Sequence, residues 1–174
     1  MTADFELSPE RLAKVEHLRD RYPTTRALCI PMLHLCQEQA GWLSPEVLAY
    51  VARYLGLSVA AVQGVATFYT SLFTHKVAPN VVWVCRTLSC ELRGAKRIQE
   101  HLEERFGCHA GQTSKNGKFT LLKAECLAAC GGAPVVQINE RYYENLTLEA
   151  LDRILEEHVA TSPIAAELGL GRGA

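Results

Sequence analysis

The sequence of 174 residues lacks the long apolar runs and the charge imbalance that mark several large classes of protein. No segment approaches the roughly 20 consecutive apolar residues that a membrane-spanning helix needs. The formal net charge is −1, which gives no electrostatic reason to expect nucleic acid as a partner. The first residues lack a basic stretch followed by an apolar one. We therefore expect no secretory signal, and a cytoplasmic protein without direct membrane insertion.

Motifs for nucleotide binding and for acid–base catalysis are missing as well. The sequence contains neither G-x-G-x-x-G nor G-x-x-x-x-G-K, so we do not expect this chain to bind NAD or a nucleotide phosphate through such loops. Its acidic residues are scattered along predicted helices, and no two of them are paired for general acid–base chemistry. The sequence therefore predicts no catalytic residue.

The composition is that of a globular protein, with 48% hydrophobic and 21% charged residues, enough to bury a core. In the first part of the chain, apolar residues recur at helical spacings of three and four, and Ser-Pro-Glu at 8–10 and 44–46 is typical of a helix start. Short β-branched runs alternate with helical patterns further on. We therefore predict an α+β protein, in which a helical bundle is followed by a small α/β domain. The predicted parts are a helical domain at 1–78, an α/β domain at 79–160 and a flexible tail at 161–174.

Seven cysteines are present, and four of them form two close pairs. Cys85 and Cys90 are separated by four residues, and Cys126 and Cys130 by three. In the cytosol, clustered cysteines bind metals or perform redox chemistry more often than they form structural disulfides. Each pair follows a predicted strand, so we expect the four sulfurs to meet on loops at one end of the α/β domain.

Three kinds of site fit these spacings. A binuclear iron–sulfur cluster takes two thiolates on each iron, and the helix start after Cys90 and the glycines at 131 and 132 offer N–H groups to its negative charge. A zinc site also takes four thiolates, usually from pairs separated by two residues, and it would make the chain a zinc-stapled binding module. A thiol–disulfide enzyme would be expected to have two residues between its paired cysteines. Neither pair contains a histidine, which excludes a Rieske centre.

The other residues with chemical potential are assigned structural roles. Cys29 and Cys36 share an apolar helix face and are expected to be buried side chains. Cys108 is followed by His109, but no further metal ligand is near them in the sequence. Arg86, inside the first pair, is interpreted as a solvated surface residue.

Five segments together resemble one family, the E subunit of bacterial NADH:quinone oxidoreductase (respiratory complex I), over about residues 10–158. Four of the segments surround the cysteine pairs, and the fifth lies upstream of them in the helical part. They are VCRTLSC at 84–90, LRGA at 92–95, ECLAAC at 125–130, APVVQIN at 133–139 and GVATFY at 64–69.

The resemblance implies a thioredoxin-like domain that carries a [2Fe–2S] cluster, and it assigns the ligands to Cys85, Cys90, Cys126 and Cys130. It also implies an electron-transfer subunit that docks on a larger subunit, which binds FMN and NADH and performs the oxidation. The complex would then hold this chain at the periphery of the inner membrane. Similar subunits occur in NAD-linked formate dehydrogenases and bidirectional hydrogenases, and the motifs do not separate these complexes. Ala128 stands where many members of the family have glycine.

Overall fold

The computed structural model describes residues 5–161. The chain divides into two compact units, Met1–Lys76 and Val77–Ala174. The described part of the first unit contains only helices and turns, and the second contains a five-stranded mixed sheet with helices. The predicted α+β class, with its helices at the N-terminal end, is therefore confirmed. Beyond Thr161, the predicted flexible tail lies outside the described residues.

The first unit is built from helices with clear start and stop signals. The hydroxyls of Ser8, Ser44 and Ser58 each accept a hydrogen bond from a backbone N–H in the first turn of a helix, which satisfies donors that have no partner within the helix. In the described part of this unit the elements are α1 (Pro9–Arg19), a 3₁₀ turn (Thr25–Leu28), α2 (Cys29–Ala40), α3 (Pro45–Leu55) and α4 (Val59–Phe68).

The helical segment restarts just before Pro31, as the position of this proline in the sequence predicts. A 3₁₀ turn covers Thr25–Leu28, and α2 begins at Cys29. Pro31 therefore lies in the first turn of α2, where the N–H that proline lacks has no helical partner to lose. The helix ends at Gly41, whose φ of 80° is left-handed and favours glycine.

The core of the first unit is apolar throughout. Cys29 and Cys36 belong to it, with exposed fractions of 4% and 0%, which confirms that they are buried side chains.

Among residues 5–161, no single helix is long and apolar enough to cross a membrane. Helices α3 and α4 are long and apolar enough only when their lengths are added, and the chain bends by 118° at the break between them.

The second unit is organised around a sheet with the strand order β2–β3–β1–β4–β5. Strands β1 and β3 are parallel, and the other neighbouring pairs are antiparallel. The strands are β1 (Asn80–Cys85), β2 (Gln112–Thr113), β3 (Phe119–Ala124), β4 (Val136–Ile138) and β5 (Arg141–Tyr143). The two-residue strand β2 carries no detectable sequence pattern and was not predicted.

Three helices accompany the sheet, at α5 (Leu88–Leu92), α6 (Ala95–Phe106) and α7 (Leu148–Thr161). The sequence predicts a single helix from residue 91 to 106, and this is wrong at its start. Gly94 has a φ of 98°, a left-handed conformation that ends α5 and lets α6 begin in a new direction. Cys90 therefore lies within the short helix α5, whereas the sequence places it before a helix.

The apolar faces of α6 and α7 form a core with the central strands. Val82, Leu102, Leu121 and Leu151 are fully buried in it. Asp152 of α7 also forms a hydrogen bond with His101 of α6 at 2.7 Å and an ion pair with Arg105 of α6 at 2.6 Å, so polar contacts join the two helices at the edge of this core.

Replacement of Leu121 by alanine is expected to lower the free energy of unfolding by about 2–5 kcal/mol, because it leaves a cavity under the central strands. Leu92→Ala is a matched control, since 77% of the Leu92 side chain is exposed, and it should change stability by less than about 0.5 kcal/mol. Urea unfolding followed by circular dichroism would measure both. Equal losses in the two variants would contradict the packing described above.

Candidate metal centre

The first cysteine pair spans the end of β1 and the helix that follows it. Cys85 is the last residue of β1, and its N–H donates to the carbonyl of Val135 at 3.2 Å. Cys90 lies in α5. The two residues are 2% and 1% exposed, so this half of the site is part of the domain core.

The second pair lies on the irregular segment after β3. Cys126 follows the strand by two residues, and Cys130 begins the 3₁₀ turn Cys130–Gly132. Both cysteines are exposed. The N–H of Ala128 donates to Sγ of Cys126 at 3.3 Å, and Ala128 has a φ of 58°. This left-handed backbone is the kind that favours glycine, and alanine adopts it here.

The structure brings the four sulfurs together. The Cys85 thiol lies against the thiols of Cys90 and Cys126, and Cys90 lies close enough to Cys130 for a charge on one sulfur to act on the other. The four cysteines that the sequence singles out are thus near one another, as predicted, although Cys85 lies at the end of a strand and Cys90 in a short helix rather than on loops.

The pKa values of the two buried thiols are shifted in opposite directions. Burial opposes ionisation of Cys85, but N–H groups of Thr87 and Leu127 and the neighbouring thiols outweigh burial and lower its pKa. Burial raises the pKa of Cys90 to about 11, and hydrogen bonding with Cys85 adds to this effect, against an opposing N–H from Val135. The site therefore already supplies backbone donors to sulfur, which is what a negatively charged group bound there requires.

These donors differ from those that the sequence indicates. They are the backbone N–H groups of Thr87, Leu127 and Val135, which the sequence does not single out as donors. The N–H of Gly132 was expected to approach sulfur, but it donates to the carbonyl of Ala129 at 3.0 Å. Loop conformation decides where a backbone N–H points, and residue types alone do not reveal it.

Arg86 is exposed at the surface, as the sequence predicts, and it also forms a contact that the sequence does not reveal. Its guanidinium forms two hydrogen bonds with the carboxylate of Glu125, one of them from Nε at 3.0 Å. The ion pair joins the two cysteine loops, and its side chains remain 56% and 82% exposed. Because exposed ion pairs add little stability, its clearest effect is to offset the negative charge beside Cys126.

The remaining cysteines stay outside the site. Burial raises the pKa of Cys36 to about 12, and it also raises the pKa of Cys29 and Cys108. The Cys108 thiol donates to the carbonyl of Gln112 at 3.7 Å, and the neighbouring imidazole of His109 contacts Glu103. Within residues 5–161, no three Cys, His, Asp or Glu side chains are grouped to hold a single metal ion.

Known proteins match most of the length of this chain. The family described as thioredoxin-like [2Fe–2S] ferredoxin matches residues 15–159. The E subunit of the NADH-quinone oxidoreductase of Rickettsia bellii is 38% identical over 157 residues, covering 88% of this chain and 94% of that protein. The proteins of the same name from Buchnera aphidicola and Escherichia coli (strain K12) are each 36% identical, over 154 and 157 residues, and cover 88% and 90% of this chain and 95% of their own lengths.

Solved structures of an NAD⁺-reducing [NiFe]-hydrogenase share the fold. The H₂-reduced form aligns with a TM-score of 0.66 at 20% identity over 77% of this chain, and this region is 23% of the hydrogenase chain. The air-oxidised form gives 0.63 at 19% identity over 95% of this chain and 25% of the other. At these identities the likeness concerns the fold alone.

The burial of the thiols predicts their order of reactivity in protein prepared without iron. At pH 8, iodoacetamide should modify Cys126 and Cys130 quickly and Cys36 very slowly, because a thiol with a pKa near 12 is ionised in about one molecule in ten thousand at that pH. Mass spectrometry of peptides over a time course would measure this order. Labelling in urea should remove the differences, whereas native Cys36 reacting as fast as Cys130 would contradict the structure.

Proposed function

This chain belongs to the thioredoxin-like [2Fe–2S] ferredoxin family, and from that premise we propose that it is an electron-transfer subunit of a respiratory NADH:quinone oxidoreductase. The relatives at 36–38% identity carry the name of that complex and are matched over 94–95% of their lengths. In the structure, the main support for the proposal is that four thiols from two separate segments of the chain lie near one another.

Cys85, Cys90, Cys126 and Cys130 are the proposed ligands of the cluster. They fit a [2Fe–2S] group by their chemistry, because all four donors are thiols, and backbone N–H groups already point at the two buried ones. A structural zinc ion would take the same four thiols, but usually from pairs separated by two residues, whereas these pairs are separated by four and three. The zinc-stapled alternative is therefore less well supported than a site that distributes four sulfurs over two irons.

The chain's own residues hold and tune the site and perform no catalysis. A bound [2Fe–2S] cluster supplies reversible one-electron transfer. Buried Cys85 and Cys90 anchor the inner side of the site in the domain core, while exposed Cys126 and Cys130 place its outer side at the surface. The N–H groups of Thr87, Leu127 and Val135 stabilise negative charge on the sulfurs.

The electron partner in this proposal is the FMN of a larger subunit that also binds NADH. The chain has no nucleotide-binding loop of the two kinds considered above, so NADH chemistry is assigned to that partner. Leu88 and Leu92 are 72% and 77% exposed on α5, on either side of buried Cys90. Large apolar side chains at such exposure suit a protein interface, and this one would bring the flavin subunit close to the sulfurs.

The complex gives the chain its location and its enzymatic class. We place it on the cytoplasmic side of the inner membrane, attached through the other subunits. A diaphorase subunit of an NAD-linked formate dehydrogenase or a bidirectional hydrogenase remains the second candidate, and the structural likeness to an NAD⁺-reducing hydrogenase supports it at the level of the fold. The higher identity of the NADH-quinone oxidoreductase relatives favours the quinone-linked complex.

Anaerobically purified protein is expected to contain about two irons and two acid-labile sulfides per chain, and dithionite should produce the low-temperature EPR signal of a reduced binuclear cluster. Serine in place of Cys85, Cys90, Cys126 or Cys130 should abolish or strongly alter both, because each change removes a proposed thiolate ligand. Cys29→Ser is the matched control and should leave them unchanged. Stoichiometric zinc without iron would contradict the proposal, and loss of the cluster in the control would show that the ligands are wrongly assigned.

NADH should reduce the purified chain only after the FMN-binding subunit is added, since the chain itself is expected to lack the flavin. The double change Leu88→Ser and Leu92→Ser should weaken binding of that subunit at least about tenfold, or about 1.4 kcal/mol, by removing apolar contact area. Tyr22→Ser alters an exposed side chain in the helical unit and serves as the control. Titration calorimetry would measure affinity, and unchanged affinity in the double variant would exclude this surface.

A further inference from the structure

The segment after β5 lies directly on the loop that carries Cys130. A side-chain Cβ at Gly132 would come within 1.8 Å of Oε2 of Glu144 and within 2.7 Å of its Cβ. The N–H of Asn145 also donates to the carbonyl of Gly132 at 2.6 Å. Glu144 and Asn145 therefore pack on the Cys130–Gly132 turn from one side, and a side chain at position 132 would displace the side chain of Glu144.

This packing places a carboxylate close to the cysteine loop. The 1.8 Å approach and a carbon–carbon bond of about 1.5 Å put Oε2 of Glu144 no more than about 3.3 Å from Cα of Gly132. Gly132 is two residues from Cys130 in a tight 3₁₀ turn. The charge of Glu144 is thus placed beside the turn that begins at Cys130.

Other carboxylates beside the site have positive neighbours. Glu125, next to Cys126, is paired with Arg86, and Glu91, next to Cys90, lines a cleft together with Lys96 and Lys123. Glu144 forms no ion pair with any other residue of the described chain. The negative charge of Glu144 is therefore less compensated than those of Glu125 and Glu91. The exposure of Glu144 to solvent weakens its electrostatic effect on the site.

We propose that Glu144 is a positioning residue whose charge, held against Gly132, lowers the reduction potential of the cluster on Cys85, Cys90, Cys126 and Cys130. The inference rests on the proposed function, because it needs a cluster at these cysteines. Adding an electron makes the cluster more negative, and a nearby carboxylate makes that addition less favourable. Net charge and solvent access around the sulfurs are known determinants of such potentials.

The test is redox potentiometry of the intact chain, followed by EPR, with Glu144→Gln. Glutamine has nearly the same shape and no charge, so the potential should shift in the positive direction while iron content and the line shape stay unchanged. Glu140→Gln is the matched control. Glu140 lies before β5 and Glu144 after it, about 13 Å apart along an extended strand, so the control should shift the potential much less.

Two further measurements separate charge from shape. The shift in Glu144→Gln should shrink at high salt, because screening weakens the effect of an exposed charge. Gly132→Ala should displace the carboxylate of Glu144 and so raise the reduction potential. Combined with Glu144→Gln, the same change should shift the potential little further, since the charge is then already absent. If Glu144→Gln does not retain the cluster, Glu144→Ala provides the same comparison with a smaller side chain.

An unchanged potential in Glu144→Gln would overturn the inference while leaving the proposed function intact. A shift equally large in Glu144→Asp, which keeps the charge, would also overturn it, because shape would then be responsible. Failure of the proposed function looks different, since wild-type protein would show no binuclear EPR signal and no potential could be measured in any variant.

Discussion

The parallel pairing of β1 with β3 is the constraint on which the site depends. The register places Cys85 opposite Ala124, at the last residue of each strand, and the N–H of Arg86 extends the pairing to the carbonyl of Ala124 at 3.0 Å. Parallel strands end at the same edge of a sheet, so the segment with Cys126 and the loop toward Cys90 begin side by side. The buried core beneath the sheet stabilises this register, because a slip of one residue would turn Val82 and Leu121 away from it.

The loops beyond this edge meet a second requirement, which is to surround thiolates with donors while keeping part of the site accessible. The interior of a strand or helix cannot do so, because its N–H groups are used internally. The segment between Cys126 and Cys130 is irregular, with a left-handed residue at Ala128 and a tight turn into Gly132. These features direct N–H groups toward sulfur at Leu127 and Ala128, and they leave Cys126 and Cys130 exposed where a partner can approach.

The sequence predicted what depends on local pattern and missed what depends on contacts between distant residues. Strands β1 and β3 and the long helices follow from periodicity, caps and β-branched runs, and the cysteine spacing picks out four thiols that lie near one another. The break at Gly94 was missed because the apolar stripe continues across it. The ion pair of Arg86 with Glu125 spans 39 positions, and the packing of Glu144 on Gly132 needs the path of the chain after β5. No local signal encodes either contact.

Four thiols determine which group can bind, but they do not determine how readily it accepts an electron. That property depends on N–H donors, nearby charge and solvent access, and in this chain those are set by residues such as Leu127, Val135 and Glu144. A shared fold at 20% identity with a hydrogenase chain shows that the architecture persists through wide change in sequence. The residues that adapt such a domain to a particular complex should therefore be sought in the loops around the cysteines and on the exposed face of α5, rather than among the ligands themselves.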